Sequence, residues 1–267
     1  ATAPPLRVAS RPAGRFAPAD PVALDLYLRA RTGPLTFVGG QDTTLLEAAV
    51  ARDPDLAPAQ AALALSLATE MPACGEHAAG PPAETLRARR AAARRAAARA
   101  LELDPDAALA HAALAALEPL TWAFEGARDH LDRALAAMPS EPSVHLRISR
   151  WCRSVGREAE ALQVMTQAFV LDPLDPSVAN EYATLLWTAG RLAEARRSFE
   201  RNRARWPGLD YVVVNPLLIA AWSEDWSWAD AQETELRRHG PDNAFVRQKL
   251  AHVERLRAGS GVAAEAA

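Results

Sequence analysis

The segment "PSVHLRISRWCRS" sets Arg147, Arg150 and Arg153 three residues apart. On a helix this spacing aligns three guanidinium groups along one face, where they repel each other unless an anion or nearby carboxylates neutralise them. The chemistry this suits is capture of an acidic group rather than bond making. Downstream lie Asn180, Thr184, Trp187, Tyr211, Asn215 and Trp222. Arginine and aromatic side chains of this kind dominate binding energy at interfaces. The competing reading pairs Glu181 with Arg147 or Arg150 and buries the tryptophans between helices.

Other chemistry finds little support. No G-x-x-x-x-G-K-[ST], H-E-x-x-H or G-x-S-x-G pattern occurs, and no Gly-rich phosphate loop. An enzyme is therefore not expected, and no catalytic residue is nominated. Cys74 and His77 sit three apart, but a metal site wants three or four ligands, so neither a metal nor another cofactor is expected. His111 and His145 are 34 residues apart and read as structural positions facing a neighbouring unit. The run "LRARRAAARRAAARALE" spreads its arginines around most of a helix without aromatics to stack on bases. It reads as a solvated face paired with nearby acids. A net charge of -3, from 30 basic and 33 acidic residues, gives no polyanion-binding signature either.

The elements that must position these side chains are written in the prolines. Pro54, Pro105, Pro139, Pro173, Pro207 and Pro241 are separated by 51, 34, 34, 34 and 34 residues, each following an apparent helix it cannot continue. Ala93, Ala127, Ala161, Ala195 and Ala229 keep the same interval, as do Ala100, Ala134 and Ala168. Ala97, Leu131, Met165 and Phe199 form the larger register between them, and Leu114, Ile148 and Tyr182 repeat in the preceding helix. Gly156 and Gly190 stand where a helix must end and the chain reverse. Hydrophobic residues make up 49% of the chain but aromatics only 6%, so the core must come from closely approaching small-residue helices.

A 34-residue period of helix pairs resembles the tetratricopeptide repeat family, over about residues 23 to 243. The resemblance implies an all-α, right-handed superhelical solenoid of antiparallel helix pairs, with about six repeats plus a C-terminal capping helix. The expected units are 23–56, 57–107 with an insertion near 70–83, 108–141, 142–175, 176–209 and 210–243. A cap follows at 244–258. Residues 1–22 read as a flexible Pro/Ala-rich linker and 259–267 as a disordered tail.

In this family the first helix of each pair lines the concave side. That places Arg147, Arg150 and Arg153, then Asn180, Thr184 and Trp187, then Tyr211, Asn215 and Trp222 in one groove. The resemblance implies a protein or peptide partner there, and the arginines suggest an acidic group on it. Some family members grip a terminal carboxylate with Lys, Asn and Arg. Here Asn180, Asn215 and Arg150 would substitute without the lysine, so a faithful clamp is not expected. Trp226 and Trp228, and Trp122 at the matching turn, read as packing over their helix pairs.

Longer phrases narrow the resemblance. "ALDLYLRAR", "ARRAAARALELDPDAALAHAALA", "WAFEGARDHLDRAL" and "LDPLDPSVANEYATLLWTAGRLAEA" occur in that order. The order resembles the C-terminal arrays of bacterial winged-helix regulators and adenylate-cyclase-type signalling proteins, which implies a regulatory or sensory interaction module. The alternative is a small-ligand sensor holding a metabolite in the groove or by the 70–83 insertion. Two cysteines make no disulfide framework, and no run of eighteen apolar residues suggests a membrane segment. The first residues lack the apolar core of a signal peptide and an initiating Met, as a fragment or processed product would. Cytoplasm is the default expectation, with the periplasm as the alternative if a membrane span precedes residue 1.

Overall fold

The computed structural model describes residues 20–32, 43–69, 83–118, 124–137 and 141–265. These residues form thirteen α-helices and no strand, as the all-α reading expects. Helix α1 (Pro21–Thr32) pairs with α2 (Thr43–Arg52), α3 (Ala57–Thr69) with α4 (Ala83–Leu103), and α5 (Ala108–Leu117) with α6 (Phe124–Ala137). Helix α7 (Pro142–Ser154) pairs with α8 (Glu158–Leu171), α9 (Pro176–Thr188) with α10 (Leu192–Arg205), and α11 (Asp210–Trp222) with α12 (Trp226–His239). Helix α13 (Ala244–Glu265) packs on α11. Each second helix also touches the first helix of the next pair where chain order brings them together, and α1, α3, α5, α7 and α9 stack in succession. The result is a solenoid of six helix pairs with a closing helix.

The recurring alanines explain the close approach. Ala93, Ala127, Ala161, Ala195 and Ala229 are buried, and so are Ala100, Ala134 and Ala168. A methyl group lets neighbouring helix surfaces meet without a gap, which a close-packed interior requires. Ala97, Leu131, Met165 and Phe199 occupy one register and are each no more than 1% exposed. The space available at that register therefore widens along the chain while its burial stays constant. Ile148 is buried, whereas Leu114 and Tyr182 are half-buried.

The connecting turns carry their own chemistry. Asp53, Asp104 and Asp172 accept from the amide two residues on, at 3.1, 3.2 and 2.9 Å, holding the chain in an Asx turn across the proline that follows. Asp175 then caps α9 by accepting from the Ser177 and Val178 amides at 2.7 and 3.0 Å, with Pro176 in the first turn. Asp20 does the same for α1, accepting from Val22 at 2.8 Å. For this reason the first helix begins at Pro21, two residues inside the span expected as linker. At the other end α13 continues to Glu265, past the cap expected at 244–258 and into the span expected as a disordered tail. Ala-rich sequence favours continuation, and no proline follows Pro241 to stop it. Of the insertion near 70–83, Ala83 opens α4, while Cys74 and His77 lie outside the described residues, as does Trp122.

Gly156 and Gly190 adopt φ of 76° and 75° where a first helix turns into a second. Glu224, 34 residues beyond Gly190, is forced into the same left-handed region at φ 55°. A Cβ there costs on the order of 1 kcal/mol. Two histidines hold the preceding units. His111 is buried, and its Nε2 lies 3.1 Å from the Pro105 carbonyl. A carbonyl only accepts, so Nε2 carries the proton and Nδ1 accepts from His130 Nδ1, 3.0 Å away. His145 is likewise buried, with Nδ1 3.0 Å from the Glu141 carbonyl. Burial lowers the pKa of both His111 and His130, and the His111 and Arg133 charges lower that of His130 further. A second proton on His111 would also face the N–H of His130.

Two outcomes follow from this geometry. Glu224→Gly relieves the left-handed strain and should raise stability by about 1 kcal/mol, or roughly 2–4 °C in Tm. The lowered histidine pKa values mean that the unfolded chain binds more protons below about pH 6.5. Tm should therefore fall as pH drops through that value, and thermal melts of His130→Asn should show a shallower fall than the native chain.

Candidate interaction groove on the first-helix face

Helices α7, α9 and α11 bring the nominated residues onto one side of the solenoid. Arg147, Arg150 and Arg153 lie on successive turns of α7, all half-buried. Glu181 of α9 faces them and is itself buried. It pairs with Arg153, whose Nη1 donates to its Oε1 at 2.7 Å. The alternative in which Glu181 neutralises Arg147 or Arg150 by direct contact is not what the structure holds. The 34-residue period sets Glu181 at the register of Arg147, so the pairing with Arg153 does not follow the repeat.

The electrostatics follow from this arrangement. Burial and, after it, the Arg150 charge lower the pKa of Arg147 to about 9 against the opposing pull of Glu181. Burial likewise lowers that of Arg150, against Glu181 and with Arg153. Arg147 Nη2 is enclosed and has no hydrogen-bond partner among the described residues, although the residue as a whole is only half-buried. The local arrangement is three cations facing one directly paired carboxylate.

The remaining residues divide by exposure. Asn180 and Tyr211 are buried, so they form floor rather than rim. The Tyr211 hydroxyl lies 3.3 Å from Ser177 Oγ, and burial pushes its pKa up to about 12. Thr184 and Asn215 are half-buried, and the Thr184 hydroxyl donates to the Asn180 carbonyl at 3.0 Å. Trp187 is half-buried and its indole N–H donates to Ser223 Oγ at 3.1 Å. Trp222 is 55% exposed, unlike a tryptophan packed between helices. Trp226 and Trp228 do pack against buried apolar residues, with Arg257 and Arg196 over their rings at 5.3 and 4.6 Å. Ser223 was not legible as a site feature, because it does not follow the repeat.

Among the described residues no group of three or more His, Cys, Asp or Glu is placed to hold a metal ion, and no helix is long and apolar enough to cross a membrane.

Comparison with known proteins identifies the fold. No family model matches the chain, and no curated protein matches it. Solved structures do. PilW, described as a widely conserved type IV pilus biogenesis factor, is 18% identical, with a TM-score of 0.55 over 87% of this chain and 100% of that one. Human IFIT1, solved as a dimer with PPP-AAAA, is 13% identical with a TM-score of 0.61, over 88% of this chain and 53% of that one. Yeast Tom70 is 15% identical with a TM-score of 0.54, over 82% and 43%. At these identities the likeness is one of fold, the tetratricopeptide-type helical solenoid.

Removing the shared carboxylate tests the electrostatic arrangement. Glu181→Gln leaves three arginines on one face and should cost about 2 kcal/mol in chemical denaturation. Adding Arg153→Leu should recover part of that loss, because the orphaned cation goes with it.

Proposed function

We propose that this chain is a non-catalytic interaction module that binds a protein or peptide segment carrying an acidic group along the α7–α9–α11 face. The observation that carries the reading is the imbalance of charge on α7. Glu181 is committed to Arg153, which leaves Arg147 and Arg150 half-buried, mutually repelling and, among the described residues, without a carboxylate in direct contact. Like charges held partly out of water are costly until an anion arrives, so part of the binding energy comes from relieving that cost. Trp222, with Trp187 beside the Ser223 hydroxyl, supplies apolar area that a partner covers. Thr184 and Asn215 stand between them as polar contacts, while Asn180 and Tyr211 hold the floor in place.

The order of the repeat phrases further supports a regulatory or sensory role within a bacterial signalling or transcription-regulatory protein. In that setting the solenoid receives a partner while a separate domain supplies the output.

The test is titration of the full chain with a library of acidic peptides and their neutral counterparts of equal length. Acidic peptides should bind, and Arg150→Glu should weaken them at least about tenfold, in line with loss of a charged contact, with helicity unchanged by circular dichroism. Equal affinity for the two peptide sets, or an unaltered Kd in Arg150→Glu, removes this face from the binding site.

A further inference from the structure

Between the second helices α10 and α12, against one side of α11, lies a cavity of about 260 Å³. A cavity of ~150 Å³ admits a benzene ring, so this one has room for a ring with a short polar chain. The repeat explains why the space is open. Leu101 of α4, Leu135 of α6 and Phe169 of α8 share one register at 34-residue intervals, and each packs against the core. Phe169 also stacks on Tyr182, with ring centroids 4.7 Å apart. The next residue in that register is Arg203, which lines the cavity. A guanidinium cannot fill apolar space without losing its hydration, so the volume taken by Phe169 in one unit is left open in the next. Across the gap Leu236 stands in the register of Ala100, Ala134 and Ala168. Its larger side chain keeps α12 from closing on α10.

We propose that this cavity binds a free aromatic amino acid, with its ring in the apolar space and its two charges between Arg203 and Glu235. The buried Val213 and Leu236 form the inner wall. Pro207 and His239 are exposed and mark the open side through which a ligand enters. Arg203 and Glu235 are both half-buried lining residues with separate partners. Arg203 Nη1 donates to the buried Gln232 at 2.9 Å, which fixes the guanidinium while using one of its five donors. Glu235 approaches Arg238 only to 3.7 Å, beyond hydrogen-bond length. A lining with one cation and one anion disfavours a ligand of either net charge. It suits a zwitterion, whose carboxylate meets Arg203 and whose ammonium meets Glu235. The ring then restores the aromatic surface that Phe169 supplies in the preceding unit.

The site is tested without any peptide, so its failure is separate from failure of the groove. Calorimetric titration of the full chain with L-phenylalanine should show saturable binding at one site. Phenethylamine, which lacks the carboxylate, and 3-phenylpropionate, which lacks the ammonium, should each bind at least about tenfold more weakly. Glu235→Gln should weaken L-phenylalanine about tenfold and leave 3-phenylpropionate unchanged. Arg203→Phe, which extends the apolar register into this unit, should fill the space and abolish binding with Tm equal or higher. No saturable binding of L-phenylalanine overturns the proposal, as does equal affinity for the three ligands. An unaltered Kd in Arg203→Phe overturns it equally. If that variant does not fold, the response of Glu235→Gln to the same ligands decides.

Discussion

Two helices can approach only as closely as the side chains between them permit, and in this chain alanine at one recurring register sets that distance. Ala93, Ala127, Ala161, Ala195 and Ala229 are each 3% exposed or less. Because the methyl is the same in every pair, each pair leaves its neighbour in nearly the same relation, and a solenoid results rather than a globule. The larger residue of the neighbouring register then fills the remaining volume, as alanine at 97 and as phenylalanine at 199. The groove inherits its geometry from this spacing, since α7 and α9 stand close enough for Arg153 to reach Glu181.

What the sequence disclosed follows from which residues obey the period. Proline, alanine and glycine at 34-residue intervals act locally, through a missing N–H, a missing side chain or a permitted left-handed φ, so spacing alone reveals them. Glu224 occupies the glycine position without being glycine, and its strain becomes visible only in the backbone. Pro216 sits inside α11, where a proline would be read as a helix break; the surrounding apolar packing holds the helix through it. Helix α13 runs on to Glu265 through Gly259 and Gly261, because the alanines around them favour continuation.

The groove was less legible than the fold. Sequence spacing put the three arginines on one face and the tryptophans nearby, but burial depends on the curvature of neighbouring pairs. Asn180 and Tyr211 fall below the surface and Trp222 stands above it, although all three occupy the same helical face by count. Which arginine meets Glu181 depends on the relative height of α7 and α9, a tertiary quantity with no local signal.

One contact departs from nearest-neighbour logic. Arg31, at the end of α1, donates to Glu141, the residue before α7, at 2.8 Å across 110 residues of chain. In a purely linear array each unit feels only the next, and loss of order at one end travels inward one step at a time. A bond from the first pair to the fourth makes the array mechanically a coil with a cross-tie. Extending it end to end must strain that tie before the intervening pairs separate, so the N-terminal half resists stretching as one body and elasticity concentrates in the pairs beyond α8.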